Sequence, residues 1–380
     1  MLRQVPTHSM PALLPLATKL KDQRMAQAVL AGTRPGIALT DSMKSPTCLF
    51  ILAQEGAFAW TYLAGNAHVP KYHQALNRWL FESYGPKHGI AFTFLVCDGP
   101  EWQCSLPAIL SPRAVVPDRR LYYECTAPPQ AGWRDLVPTG YEIRELDRTL
   151  LQSDIAMHEK VSQWMAHNFG SQEKFLERAF GAVAVHDEHV VAWCLPDSVG
   201  LSRADIGVET EAEHQRRGLA HACTCLFLEM AFAEGLSAIG WHCHVINVPS
   251  NRTAVKAGFA LMYEYPAYAL QFDPEKQEEL AQVIGVEFAE QALAMLDNQD
   301  YAGAHTLYRR LSGFHSSQDP SVLVNAARAA AGCGHVEEAF QRLAEARQIC
   351  SAIDAALLAA PEFAPLREDV RWEKTQKRSD

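Results

Sequence analysis

No run in this 380-residue sequence is apolar for the ~20 residues a helix needs to cross a bilayer. That argues against a membrane-spanning protein. The longest early apolar run, Pro11 to Ala17, is brief, and Lys19, Lys21 and Arg24 follow it rather than precede it. A secretion signal has the reverse order, so none is read here. Positive charge is also in short supply. Lys and Arg number 34 against 44 Asp and Glu, a formal net charge of -10, which argues against general binding to nucleic acid or anionic membranes but not against a local basic pocket. The ten cysteines form no Cys-x-x-Cys pair. Without a secretion signal they read as reduced, mostly buried thiols, and the expected compartment is the cytoplasm.

What remains is an ordinary globular composition, 48% hydrophobic and 21% charged, long enough for two or three domains with cores of their own. Three stretches differ in texture. In the first, Gly36–Thr40 and Thr47–Leu52 are strand-like, and Phe58–Leu63 follows the turn Gln54-Glu55-Gly56 as a hairpin partner. Leu76, Trp79, Leu80 and Tyr84 then recur at helical spacing, and Ile90–Val96 returns to strand. The turn-rich Pro128–Gly132 reads as a linker. These features give an N-terminal α/β domain over 1–132. The second stretch, 133–275, runs strand, helices, hairpin, strand, helix, strand, helix, strand, an order that predicts a mixed sheet covered by helices. The third, 276–380, is alanine-rich and helix-forming. Its pattern Asp300-Tyr301…Ala304…Tyr308…Leu311 recurs 35 residues later as His335…Ala339…Leu343…Ala346, close to the ~34-residue period of tetratricopeptide repeats. A helical-hairpin region resembling such repeats and a plain helical bundle both fit, and either could bind a protein partner or self-associate.

The chemistry concentrates in the second stretch. The strand Ala204–Glu209 runs into Gln215-Arg216-Arg217-Gly218-Leu219-Ala220, and an amphipathic helix, Leu219–Ala233, begins there with Leu219, Ala222, Cys223, Leu226 and Met230 on one face. A helix start offers unpaired N–H donors and the positive end of the helix dipole, a natural seat for a pyrophosphate. Arg216 and Arg217 add charge suited to phosphate. Alone, the loop could be a surface turn with two solvated arginines. The next unit changes that: the strand Ala238–Ile246 leads through Asn247 into Pro249-Ser250-Asn251 and closes on Lys256-Ala257-Gly258-Phe259.

The loop and the Asn247…Ser250…Gly258-Phe259 pattern together resemble the two central motifs of the GNAT acetyltransferase superfamily, in order and separation. More narrowly, Gly36…Asp41…Pro46, Gly65, Trp133…Pro138…Tyr141, Phe175…Phe180-Gly181 and Trp241-x-Cys243 resemble the zwittermicin A resistance-type GNAT acetyltransferases, in which a degenerate N-terminal half precedes the catalytic one. The likeness covers about 35–275. It implies an α/β (α+β) GNAT fold with a mixed sheet, a degenerate GNAT-like N-terminal half, a catalytic domain over 133–275, and acetyl-CoA as cofactor. It further implies that Val208 and Thr210 grip the pantetheine arm through their backbone, a thioester carbonyl lying near Val208. Gln215, Arg216, Arg217, Gly218, Leu219 and Ala220 would cradle the pyrophosphate, with Asn247, Ser250 and Asn251 completing the cofactor site.

An acceptor amine must lose a proton to attack, so a general base is expected. Asp205 and Glu209 alternate with Ile206, Val208 and Thr210 on one strand, and His242 and His244 alternate on the next. Asp205 is the first choice as base, with Glu209 and His242 beside it, although a solvent-facing carboxylate is the plainer reading of either acid. His242-Cys243-His244 is not expected to bind a metal, because adjacent strand residues face opposite sides. One departure from the family stands out: where many members place the tyrosine that protonates the leaving thiolate, this chain has Ala254. The expected function is therefore N-acetyl transfer to a primary amine of a small molecule, an antibiotic or metabolite. The competing expectation is an inactive acyl-CoA-binding scaffold whose helical tail holds a partner.

Overall fold

The computed structural model describes residues 2–373 except 112, 114–115, 201, 246, 274–275, 312–318, 351–352 and 354. It divides into two compact units, Met1–Pro274 and Glu275–Asp380. Among the described residues no helix is long and apolar enough to cross a membrane.

One twelve-stranded sheet organises the first unit. Its strands are β1 (Arg3–Gln4), β2 (Ile37–Thr40), β3 (Cys48–Glu55), β4 (Phe58–Gly65), β5 (Phe92–Cys97), β6 (Val116–Cys125), β7 (Glu142–Glu145), β8 (Ala182–His186), β9 (His189–Val199), β10 (Arg203–Thr210), β11 (Ala238–His244) and β12 (Ala260–Gln271). The β3–β4 hairpin turns at Gly56, whose φ of 64° favours glycine. The β11 strand is described to His244; Ile246, its expected end, lies outside the described residues.

The strand order is β1-β2-β3-β4-β5-β12-β6-β11-β10-β9-β8-β7. Read inward from its two edges, the sheet repeats itself. From β1 to β4 and from β7 to β10 neighbours are antiparallel, while β4–β5 and β10–β11 are the two parallel pairs. A helix joins each parallel pair, Pro70–Arg78 in the first half and Leu219–Ala233 in the second. At the centre the halves exchange their last strands: β6 lies against β11, β12 lies against β5, and β6 and β12 pair with each other. The boundary expected near residue 132 is thus a seam within one hydrogen-bonded sheet, and residues 1–274 cluster as one body. Strand β6, which carries the exchange, alternates buried and exposed residues only over part of its length, so its pattern in the sequence is weak.

The second unit contains the helices Gln277–Asp297, Tyr301–Arg310, Pro320–Gly332 and Val336–Ile349. Small buried residues (Ala304, Ala327, Ala330, Ala339, Ala346) are interspersed with Leu323, Leu343 and Phe363 in its core. Such residues let helix axes approach closely.

Because the exchange gives each half a strand of the other, neither half should be stable alone. Residues 133–274 expressed by themselves are expected to show no cooperative thermal transition, whereas 1–274 melts in one; differential scanning calorimetry of the two fragments checks this.

Candidate functional site

Strands β10 and β11 run parallel and paired only from Arg203↔Ala238 to Ile206↔Trp241. Beyond that point β10 continues against β9 as far as Thr210, and β11 continues against β6 as far as His244. Neither strand lacks a partner on its outer edge, so the two can part. The facing edge of Gly207–Thr210 is thereby released from β11. The first half has no such slot: β4 and β5 stay paired from Phe58↔Phe92 to Leu63↔Cys97, and Phe58, Trp60, Phe92 and Phe94 stack across them.

At the open end of the slot lies the loop the sequence singles out. Gln215, Arg216, Arg217 and Gly218 are exposed. Arg216 (φ 62°) and Gly218 (φ 83°) both adopt left-handed backbone, costly for arginine and natural for glycine. A Cβ on Gly218 would meet nothing within 4 Å, so its backbone conformation, not crowding, calls for glycine. Gly218 is the N-cap of Leu219–Ala233 and supplies no side-chain cap, which leaves the first N–H groups of a 15-residue helix unsatisfied by any capping side chain. Leu219 is buried and Ala220 half-buried, seating the helix on the sheet. The helix buries Leu219, Ala222, Cys223 and Leu226 of the expected stripe, leaves Met230 half-buried, and buries Thr224, Cys225, Phe227, Leu228 and Ala231 as well. Both its flanks are covered, one by the sheet and the other by Trp133–Leu136 and the helix Val248–Lys256.

Asn247, Ser250 and Asn251 serve that second helix. The Asn247 Oδ1 caps it by accepting from the Ser250 N–H at 3.1 Å, and the Ser250 hydroxyl accepts from the Trp241 indole at 3.0 Å. The Asn251 amide donates to the Val245 carbonyl at 2.9 Å. All three tie the helix to the end of β11. Ala254 is fully buried in the core under the same helix.

The side chains alternate as the strand period requires. Ile206, Val208, Trp241 and Cys243 belong to the core beneath the Leu219–Ala233 helix, so Asp205, Gly207, Glu209, His242 and His244 face the other way. There the structure brings Asp205 and His242 together, with Oδ2 to Nε2 at 3.4 Å. Asp205 is 4% exposed. Its Oδ2 accepts from the Arg24 backbone N–H at 3.2 Å, and among the described residues its Oδ1 is buried with no hydrogen-bond partner. The carboxylate fits because residue 240 is glycine; a Cβ there would sit 2.1 Å from Oδ1. His242 is fixed at both nitrogens. Its Nε2 lies 3.0 Å from the Asp22 carbonyl and its Nδ1 2.8 Å from the Tyr265 hydroxyl, while its ring stacks on Tyr122 at 4.7 Å. A carbonyl can only accept, so Nε2 carries a proton.

Glu209 does not join them. The ring of Trp164 sits over Gly207, between the two carboxylates, with its indole N–H donating to the Pro196 carbonyl at 3.1 Å. Glu209 is paired instead with Lys160 at the start of the helix Glu159–Phe169.

Several residues of this face were not legible in the sequence. Asp22 and Arg24 precede and begin a short helix near the N-terminus, and Arg34 reaches across to the Asp197 carbonyl at 2.6 Å. Their contacts to the second half, Arg24 to Asp205 and Arg34 to Asp197, span more than 160 residues, which no local pattern reveals. Asp197 is itself a bulge in β9: Asp205 pairs with Ser198 and Ile206 with Pro196, leaving Asp197 as the extra residue. Burial pushes its carboxyl up to about 8, and nearby Glu55 and Asp205 add to the rise while Arg34 opposes it.

A family model described as GNAT acetyltransferase matches residues 14–268, spanning both halves of the sheet and the slot. The chain belongs to this family. An uncharacterized N-acetyltransferase, YdfB of Bacillus subtilis (strain 168), is 24% identical over 242 residues, 63% of this chain and 88% of that protein. The crystal structure of a GCN5-related N-acetyltransferase-like protein from Streptococcus suis 89/1591 shares the fold, with a TM-score of 0.55 and 22% identity over 70% of this chain and 99% of the other. A GCN5-related N-acetyltransferase from Sphaerobacter thermophilus matches at a TM-score of 0.48 and 15% identity, over 72% of this chain and 96% of its own. The chain is an acetyltransferase with the GNAT fold, and the family as a whole draws its acyl group from acetyl-CoA.

The Asp197 shift has a consequence for stability. Between pH ~4 and ~8 the folded protein holds a proton at Asp197 that the unfolded carboxylate has released, so stability falls as pH rises through that window. Asp197→Asn cannot ionise and should flatten the fall. A relative gain of about 1–3 kcal/mol at pH 8 over pH 5 is expected once partial solvent contact is allowed for. Chemical denaturation of both proteins at the two pH values measures it.

Proposed function

We propose that this acetyltransferase moves an acetyl group from acetyl-CoA to the primary amine of a small molecule, an antibiotic or metabolite, by direct attack of the amine on the thioester. The observation that carries this reading is the slot between β10 and β11 opening beside an uncapped helix start, present in the second half and absent from the first. Arg216, Arg217 and the N–H groups of Gly218, Leu219 and Ala220 would hold the pyrophosphate. The released backbone of Val208 and Thr210 would hold the pantetheine, and Gln215, whose side chain donates to the Thr210 carbonyl at 3.1 Å, would brace the loop. Asn247, Ser250 and Asn251 would fix the far wall of the slot through their contacts to β11.

The acceptor side favours a cation. Asp22, Glu55, Glu124 and Asp205 lie on the face opposite the helix, near enough to raise the pKa of Tyr122 or of Asp197. An ammonium group would be drawn to that face and held there until it loses its proton. Asp205 would take that proton before attack; the neutral amine would then form the C–N bond as the C–S bond breaks, its second proton passing to solvent, while His242, clamped by Tyr265 and Asp22, would keep the carboxylate in place. Glu209, beyond Trp164, would act at the mouth rather than at the reacting atoms. With alanine at position 254 the coenzyme A thiolate would depart without a tyrosine donor, which a thiol of ordinary pKa ~8.5 tolerates.

Thiol release measured across a panel of primary amines tests the reading. Asp205→Asn is expected to lower kcat by roughly 10²–10⁴-fold while leaving the acetyl-CoA-induced rise in Tm intact. Stabilisation by acetyl-CoA with no amine consumed would favour instead a non-catalytic acyl-CoA-binding scaffold, the reading that Ala254 motivates.

A further inference from the structure

The second unit contains a group of side chains that acetyl transfer does not use. His305, Cys333 and His335 each offer one ligand atom, and these atoms all lie within 4.8 Å of one another. His305 projects from the helix Tyr301–Arg310 and is buried. Cys333 and His335 flank Gly334 in the turn that joins Pro320–Gly332 to Val336–Ile349.

That turn has an internal control 35 residues earlier. Asn298-Gln299-Asp300 joins the preceding pair of helices as Cys333-Gly334-His335 joins the later pair. The middle residue of each is left-handed, Gln299 at φ 60° and Gly334 at φ 79°. Asp300 then does what an N-cap residue does, its Oδ1 accepting from the Gly303 N–H at 3.0 Å. His335 occupies the same N-cap position and makes no capping bond. Its ring lies over that of His305 instead, with centroids 4.8 Å apart. The later turn has given up a cap worth about 1 kcal/mol and gained a thiol and an imidazole facing a second imidazole.

His305 is also held in the manner of a metal ligand. Its Nε2 lies 3.0 Å from the Glu338 Oε2, and a carboxylate at that nitrogen fixes the ring and leaves Nδ1 to bind. We propose that His305, Cys333 and His335 bind one divalent transition-metal ion of the zinc class, with Glu338 orienting His305. Two imidazoles and a thiolate form a borderline-soft set that suits zinc and not magnesium or calcium. Ligands around tetrahedral zinc stand roughly 3.3–3.7 Å apart, so side-chain rotations suffice to close the group on an ion. Coordination replaces the thiol proton, which passes to solvent.

Zinc titrated calorimetrically into the full chain, stripped beforehand with chelator, is expected to bind one ion. Cobalt substituted for zinc should show a thiolate-to-metal charge-transfer band. Cys333→Ser should abolish that band and weaken zinc binding at least about 100-fold, and Glu338→Gln should weaken it about 10–100-fold. His335→Gln is the safer companion, because His335 is exposed and caps nothing; it too should weaken binding while the circular-dichroism spectrum stays that of the parent. Acetyl transfer should be unchanged in all three. Zinc affinity undiminished in both Cys333→Ser and His335→Gln, or a cobalt spectrum without the thiolate band, would overturn the assignment.

Discussion

The exchange of β6 and β12 between the halves is the constraint on which the site depends. A slot between two parallel strands exposes backbone N–H and C=O groups, and buried backbone that goes unpaired is costly. The slot is affordable here because each strand bordering it keeps a complete ladder on its other side. Strand β10 has β9 from Ala204 to Thr210, and β11 has β6 from Ile239 to His244. Since β6 comes from the first half, the second half borrows the strand that lets its own site open. The borrowed strand also carries Tyr122 and Arg120, whose side chains line the face where Asp205 and His242 meet.

The exchange serves both halves alike, yet only the second opens a slot. Both halves have the parallel pair and the connecting helix. In the first, aromatic side chains stack across β4 and β5 and hold the pair shut, and the helix Pro70–Arg78 follows a short loop without arginines. The first half keeps the geometry as scaffold and contributes chemistry from elsewhere: the Asp22 carbonyl, the Arg24 N–H and Arg34, all aimed across at the second half.

What could be read in the sequence followed from how local each signal was. The Leu219–Ala233 helix was read with the bounds it has, because its apolar spacing, the glycine before it and the glycine after it are contiguous. The β3–β4 hairpin and the β8–β9 pair were legible for the same reason. Strand β6 was not, since its partners are more than 100 residues away and its own pattern blends into the turn-rich Pro128–Gly132. The boundary placed near residue 132 marked a real change of texture but a continuous sheet. At the site, alternation alone put Asp205, Glu209 and His242 on one face. What alternation could not show was Trp164, arriving from another helix to part Glu209 from the other two.

Asp205 is enclosed by residues of both halves. The carboxylate is 4% exposed, and its Oδ2 is engaged by the Arg24 N–H, so the segment around Asp22–Arg24 covers it. That segment is held by two kinds of contact. The Asp22 carboxylate accepts from the Tyr263 hydroxyl at 2.9 Å, and its carbonyl receives the His242 N–H. These polar contacts, each worth about 1 kcal/mol net, add to the packing of Leu20, Met25 and Ala26, which are buried in the core on either side of the segment. The surroundings of Asp205 are thus built by both halves: β10 and β11 come from the second, and the Asp22–Arg24 segment that closes over the carboxylate comes from the first.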